Sequence, residues 1–149
     1  MDVKKALHII AAQCSKKEYC SFDVIVKLQR WELTGTDIAE VMAFLVKNHF
    51  VDDERYARAY AMDKFRFNRW GKQKIERMLR QKQIEEHIVA GALNGLPDEA
   101  YDEACISLLK QKARSLKEED PRKRKAKLFR YALGRGFCYE VVSRCIKQL

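Results

Sequence analysis

The chain repeats its own hydrophobic pattern at an interval of 53 residues, and this repeat limits the possible folds more than any other feature of the sequence. Three blocks recur in the same order: residues 75–79 superpose on 128–132, Ile84 on Phe137, and residues 88–93 on 141–146. Within the longer blocks the apolar residues recur at helical spacing, which predicts amphipathic helices. A repeat unit of about 50 residues buries too little surface to be very stable alone, so neighbouring units are expected to stack.

The first third of the chain can be divided in the same way, although its register fits the repeat less well. We therefore predict an all-α protein of nine helices, organised as three tandem three-helix repeats stacked into an elongated, curved body. The predicted repeats comprise residues 1–50, 51–96 and 97–149. The alternative is a single nine-helix globule whose apparent repeat reflects ordinary amphipathicity.

Two helix starts are marked clearly in the sequence. Asp52, Asp53 and Glu54 place negative charge where the positive end of a helix dipole is expected. Asp120 followed by Pro121 combines an N-cap residue with a proline at the first helical position. These signals support the helix boundaries within the second and third repeats.

The formal net charge of +9 favours a polyanionic partner, such as nucleic acid, an acidic protein or a membrane surface. The charge is uneven, because residues 101–149 hold 13 basic and 6 acidic side chains. Residues 64–82 alone hold eight Lys or Arg and a single acid, Glu76. Large apolar residues interrupt this segment, so we expect it to be ordered rather than a disordered basic tail.

The amino-terminal apolar run, Ile9–Ala12, is too short for a secretion signal or a membrane span. The five cysteines are an odd number without a CxxC pair, which fits reduced thiols in a cytosolic chain. We therefore expect a cytoplasmic protein with no membrane association.

No arrangement of reactive residues predicts catalysis or metal binding. His8, His49 and His87 are not paired with another His or a Cys at the spacing of metal ligands. Successive carboxylates in residues 52–54 diverge by about 100° on a helix, so they do not readily converge on one ion. Gly-rich phosphate loops and hydrolase motifs are missing. Cys138 and Cys145 could share a helix face, but nothing in the sequence activates either thiol, and they are expected to be core residues. We expect no enzyme activity, no cofactor and no metal, and a thiol-based enzyme is the alternative.

Two equivalent predicted helices, in the second and third repeats, carry nearly unopposed positive charge. A run of Lys and Arg is ordinarily a solvated face, but its recurrence in successive repeats favours a binding surface for a polyanion. The candidate binding residues in these helices and their neighbours are Lys64, Arg66, Arg69, Lys72, Lys74, Arg77, Arg80, Lys82, Lys112, Arg114, Arg122, Lys123, Arg124, Lys125, Lys127 and Arg130.

The central segment resembles the signature of a known family. VDDERYARAY (51–60) followed by RWGKQKIERMLRQKQI (69–84) is similar to the central motif of the RecX family, regulators of the RecA recombinase. The segment between Cys14 and Trp31 resembles the first-unit pattern of that family. The sequence departs from the family pattern at Gln83, where members commonly have Gly.

The resemblance implies a non-catalytic, monomeric protein that binds RecA and lies in the helical groove of its filament on DNA. Family members suppress ATP hydrolysis and strand exchange by RecA, so the candidate cations are expected to contact the filament or its DNA, single- or double-stranded, without sequence preference. Trp70 is expected to pack within its unit rather than to stack on a base. A helix-turn-helix transcription regulator is the main alternative, but the two basic helices are poor in the Asn, Gln, Ser and Thr that diversify base reading.

Overall fold

The structure, a computed structural model, describes all 149 residues and contains nine α-helices and no strand. The helices are α1 (Val3–Lys16), α2 (Ser21–Arg30), α3 (Gly35–Lys47), α4 (Asp53–Asn68), α5 (Lys72–Gln81), α6 (Glu86–Asn94), α7 (Asp98–Ser115), α8 (Pro121–Gly134) and α9 (Tyr139–Ile146). The predicted all-α class is confirmed. We call α1–α3, α4–α6 and α7–α9 units 1, 2 and 3. None of these helices combines the length and the apolar character needed to cross a membrane.

The two helix starts foreseen in the sequence are capped by their aspartates. The Asp52 carboxylate accepts a hydrogen bond from the backbone N–H of Arg55 at 3.0 Å. The Asp120 carboxylate accepts one from the backbone N–H of Arg122 at 2.9 Å, and Pro121 occupies the first helical position of α8. Each carboxylate therefore satisfies a donor that the helix itself leaves free.

The buried apolar residues form two separate cores. Unit 1 holds nine of them, including Ile10 of α1, Leu28 of α2 and Leu45 of α3. The other core has 20 buried residues, which come from units 2 and 3 together and from Cys20 of unit 1. Units 2 and 3 are thus joined through one continuous core, whereas unit 1 has its own.

The accessible surface is larger than that of a compact protein of this size. It amounts to 9564 Å², whereas a compact monomer of 17.5 kDa exposes about 7,900 Å². The excess indicates an elongated body. The core of units 2 and 3 includes Tyr56, Ile75, Leu79, Leu108 and Leu128, and Tyr60, Ile88 and Val141 pack against it.

The turn between the second and third helix is built alike in all three units. One residue of each turn has a positive φ, namely Glu32 (62°), Gln83 (56°) and Gly136 (100°). Each is followed by a buried apolar residue, namely Leu33, Ile84 and Phe137. The sequence departs from the family pattern at Gln83, and the backbone of this residue has a left-handed conformation, which favours glycine.

Two glycines allow units 2 and 3 to come into backbone contact. A Cβ on Gly71 would lie 2.4 Å from the carbonyl carbon of Gly136, and one on Gly136 would lie 2.5 Å from the Cβ of Lys74. The backbone N–H of Gly71 donates to the carbonyl of Arg135 at 2.7 Å, and that of Gln73 donates to the carbonyl of Gly136 at 3.0 Å. This contact holds the turn before α5 against the turn before α9.

Candidate functional site

The cations of unit 2 surround a half-buried indole. Lys64 Nζ lies 5.1 Å and Lys74 Nζ lies 4.5 Å from the ring centroid of Trp70. The Tyr60 ring meets the same indole edge-on at 6.5 Å. Trp70 thus packs against its own unit and attracts two ammonium groups to its ring, as cation–π contacts require.

Two of the eight candidate cations in unit 2 are neutralised by carboxylates. Arg80 forms ion pairs with Glu76 at 2.7 Å and Glu86 at 3.0 Å. Lys82 forms one with Asp23 of unit 1 at 2.6 Å, and its hydrogen bond to that carboxylate raises the pKa of Lys82. The six that have no carboxylate within 4 Å are Lys64, Arg66, Arg69, Lys72, Lys74 and Arg77.

Unit 3 likewise uses two of its candidates to hold its own fold. The Arg124 guanidinium donates to the backbone carbonyl of Ala113 at 2.6 Å and to that of Leu116 at 3.3 Å, which satisfies acceptors at the end of α7. Lys127 pairs with Glu118 at 3.5 Å. The six that have no carboxylate partner are Lys112, Arg114, Arg122, Lys123, Lys125 and Arg130. We leave Arg80, Lys82, Arg124 and Lys127 out of the binding surface proposed below.

A cationic cleft lies where unit 2 meets unit 3. We call it the junction cleft; its volume is about 660 Å³, and its lining includes Phe67, Arg69, Gln111, Lys112, Tyr131 and Arg135. It brings Arg69 of unit 2 together with Lys112 of unit 3, two residues that the sequence placed in separate helices. No Asp or Glu lines it.

The cations of the junction cleft are oriented by neutral acceptors. The Arg69 guanidinium donates to Oε1 of Gln111 at 2.7 Å. The Arg135 guanidinium donates to the Tyr131 hydroxyl at 3.2 Å. Lys112 Nζ lies over the Tyr131 ring, 4.8 Å from its centroid. These partners fix the positions of the charges without cancelling them, so the cleft is preorganised for an anion.

A second cavity continues the junction cleft along α7. Its volume is about 520 Å³, and it shares Arg69 and Gln111 with the cleft. It adds the cations Lys110 and Arg114 and one acid, Glu103. The two cavities therefore bring together three of the twelve candidates that have no carboxylate partner, Arg69, Lys112 and Arg114. That the cations of α5 and α8 form one continuous stripe stays a prediction.

Two residues of the junction cleft were missed as candidates in the sequence. Arg135 aligns with Lys82 at the 53-residue interval, and this alignment could have brought it to notice. Phe67 looked like one more apolar residue of the segment, yet its side chain is 80% exposed. Its helical position beside the buried Phe65 is the signal that it belongs to the outer face of α4.

Burial makes most of the thiols unreactive. It raises the pKa of Cys20 and that of Cys105 to about 12, and it also raises the pKa of Cys14 and of Cys145. Protonated thiols are poor nucleophiles at neutral pH. All five cysteines are unpaired, and no group of three or more His, Cys, Asp or Glu is placed to hold a metal ion.

Comparisons with known proteins identify the family. The family model for the second three-helix domain of RecX matches residues 52–93, and that for the third matches residues 99–146. The chain belongs to the RecX family. The division at residues 50 and 96 stays a prediction, because the two matches do not fix where the units end.

Two curated RecX relatives share 35% and 27% sequence identity with this chain. The chain is 35% identical over 131 residues to the regulatory protein RecX of Clostridium acetobutylicum, a match that covers 85% of this chain and 60% of the relative. It is 27% identical over 122 residues to that of Bacillus cereus, with 82% and 45% covered. These relatives are named regulatory proteins. The chain spans about half the length of the curated relatives it matches.

Solved structures of RecX proteins share the fold. The crystal structure of RecX from Lactobacillus salivarius superposes with a TM-score of 0.89 at 22% identity, covering 99% of this chain and 96% of that one. A second crystal structure of regulatory protein RecX gives the same TM-score and covers 97% of this chain and 71% of the other. The tandem helical repeat is thus a property that this chain has in common with the family.

Proposed function

We propose that this chain is a cytoplasmic, non-enzymatic regulator that binds RecA on DNA as a monomer and lowers its ATPase and strand-exchange activities. Membership of the RecX family and the naming of its relatives as regulatory proteins support the proposal. The observation that carries it is the set of twelve candidate cations in units 2 and 3 that have no carboxylate partner. A surface with that much free charge favours a polyanion such as the DNA in a filament.

The test is a titration into the ssDNA-dependent ATPase reaction of RecA from the same organism. We expect the ATPase rate to fall as the chain approaches the concentration of RecA subunits. An unchanged rate at several-fold excess would contradict the proposal. DNA binding with a sequence preference that persists at raised salt would instead favour a transcription regulator.

Charge-reversal variants test which basic surface of the chain is responsible for the inhibition of RecA. The triple variant Lys72→Glu, Lys74→Glu, Arg77→Glu should weaken the inhibition by tenfold or more, because it changes the local charge by six units on the proposed surface. The matched control reverses three exposed cations of unit 1, Lys4, Lys5 and Lys16, and so changes the net charge equally. Equal inhibition by the two triple variants would show that the basic surface is wrongly assigned. Circular dichroism checks that both variants remain folded.

A further inference from the structure

We propose that the junction cleft binds single-stranded nucleic acid, with one unstacked base on the ring of Phe67 and the adjoining phosphates at the cations of the cleft. The inference rests on the proposed function and deepens it, since it names the class of nucleic acid that the cationic surface takes. It depends on three observations: an exposed aromatic ring, cations with neutral partners, and the size of the cleft.

Phe67 is exposed although nothing in the fold requires an aromatic residue there. Its side chain is 80% exposed, which is the largest value among the exposed large hydrophobic residues of the chain. Phe65, two positions earlier on the same helix, is 5% exposed and stacks on Tyr101 of unit 3 at a centroid distance of 5.8 Å. Phe65 therefore provides the packing, and Phe67 leaves a free ring at the edge of the cleft. Aromatic rings in that position are the platforms on which proteins stack single-stranded bases.

The charges beside this ring match a phosphodiester strand. Arg69 donates a hydrogen bond to an amide oxygen and Arg135 donates one to a phenol, so neither guanidinium is paired with an anion. Lys112 likewise faces the Tyr131 ring and no carboxylate. Phosphate oxygens would supply the missing charge, and a guanidinium that is already oriented loses little freedom when it binds them.

The geometry favours a single strand over a duplex. In a duplex each base is stacked on its neighbours, and exposing one face costs several kcal/mol. A single strand offers its base faces freely. The cleft volume of about 660 Å³ is that of a small-ligand site, which suits one nucleotide.

The test measures direct DNA binding with no RecA present. Fluorescence anisotropy compares a labelled oligo(dT) with a duplex of the same charge for the wild type, Phe67→Ala and Phe67→Trp. We expect Phe67→Ala to raise the Kd for oligo(dT) about tenfold, as the loss of one stacked base predicts, and to change the duplex Kd less than about twofold. Phe67→Trp should retain the single-strand affinity, because the indole keeps a ring face in the same place.

Two further variants test specificity and charge. Tyr139→Ala removes another exposed aromatic ring, 62% exposed on α9, and should leave the Kd for oligo(dT) unchanged. Lys112→Gln should reduce the salt slope of single-strand binding by about 0.7, the value expected for one phosphate contact. Phe67 is so exposed that its truncation is not expected to unfold the chain, and a thermal melt verifies this point.

Each contrary result has its own meaning. Equal losses for single strand and duplex on Phe67→Ala would overturn the stacking proposal. Unchanged DNA affinity together with weaker binding to RecA free of DNA would assign Phe67 to a protein contact, and would also overturn it. The RecA ATPase titration with the wild type is independent: its failure would contradict the proposed function, whereas the oligo(dT) result would still decide the present inference.

Discussion

The two junctions between units are built on the same plan from different chemistry. In both, the second helix of one unit begins without a side-chain cap of its own, and the first helix of the next unit supplies the acceptor. At the first junction the Asp53 carboxylate accepts from the backbone N–H of Ser21 at 2.7 Å. At the second the Tyr101 hydroxyl accepts from the backbone N–H of Lys72 at 2.8 Å. One junction thus uses a charge where the other uses a phenol.

The same contrast extends to the residues around these caps. The position before α2 is occupied by Cys20, whose thiol reaches the core of units 2 and 3. The equivalent position before α5 is Gly71, where no side chain fits. Lys82 reaches back across the first junction to a carboxylate, whereas its counterpart Arg135 meets a phenol. At the first junction the positive charge of Lys82 is consequently paired with a carboxylate. At the second, the positive charge of Arg135 has no anionic partner and is free to bind an anion.

The largest expected effect comes from adding a methyl group to the second junction. Gly71→Ala should destabilise the protein by about 3 kcal/mol, because the new Cβ would meet backbone atoms that cannot move independently. The melting temperature should fall by roughly 6–12 °C. Gly134→Ala is the matched control, since no atom lies within 4 Å of its Cβ, and it should be neutral or slightly stabilising. An unchanged melting temperature for Gly71→Ala would mean that the two turns are not in contact.

A pair of variants compares the two caps directly. Asp53→Ala and Tyr101→Phe should each lower the free energy of unfolding by about 1 kcal/mol, since each removes one acceptor from a helix N-terminus. They should respond differently to salt: the Asp53→Ala loss should shrink between 0.05 and 0.5 M NaCl, whereas the Tyr101→Phe loss should not. Chemical denaturation at several salt concentrations measures both. The same salt response for the two variants would remove the distinction between a charged and a neutral junction.

Replacing Gln83 with glycine should stabilise the turn between α5 and α6. Gln83 has φ 56°, so Gln83→Gly relieves backbone strain worth about 0.5–1 kcal/mol after the extra freedom of the unfolded chain is counted. Gln81→Gly, two residues earlier at the last position of α5, is the matched control and should destabilise by about 0.5 kcal/mol. Thermal shifts of opposite sign are the expected result. A loss of stability in both variants would contradict the assignment of strain to Gln83.

The smallest expected effect comes from removing the ion pair between Lys82 and Asp23 across the first junction. Lys82→Gln should cost about 0.5 kcal/mol, because the ammonium is partly solvated and screened. The Asp23 carboxylate raises the pKa of Lys82 in the folded state, so the stabilisation is complete below the unfolded pKa of about 10.4 and is lost as the pH rises above it. The difference between wild type and variant in urea unfolding should therefore be constant from pH 7 to 9.5 and smaller at pH 11.5. Lys4→Gln, at an exposed site without a partner, should show no such trend.

Local features of the fold could be read from the sequence, and contacts between units could not. Asp52 and Asp120 cap helices that begin within three residues of them, so the signal and its effect lie side by side. Asp53 caps a helix 32 residues away, and no local pattern indicates its partner. The prediction of the binding surface from the sequence was limited in the same way. The sequence showed that Lys82 and Arg69 are both basic, but only the packing of units decides that one faces a carboxylate and the other an amide.

The division into two cores has a mechanical consequence. Units 2 and 3 share one apolar core, whereas unit 1 reaches that core through Cys20 and Phe22 and is also joined to unit 2 by polar contacts, so we expect the first junction to bend more easily than the second. Helix α1 of unit 1 has 14 residues and is about 21 Å long. A rotation of about ten degrees at the first junction would move the far end of such a helix by roughly 4 Å. Such a rotation would change the reach of unit 1 while leaving the spacing of the cations in units 2 and 3 unchanged.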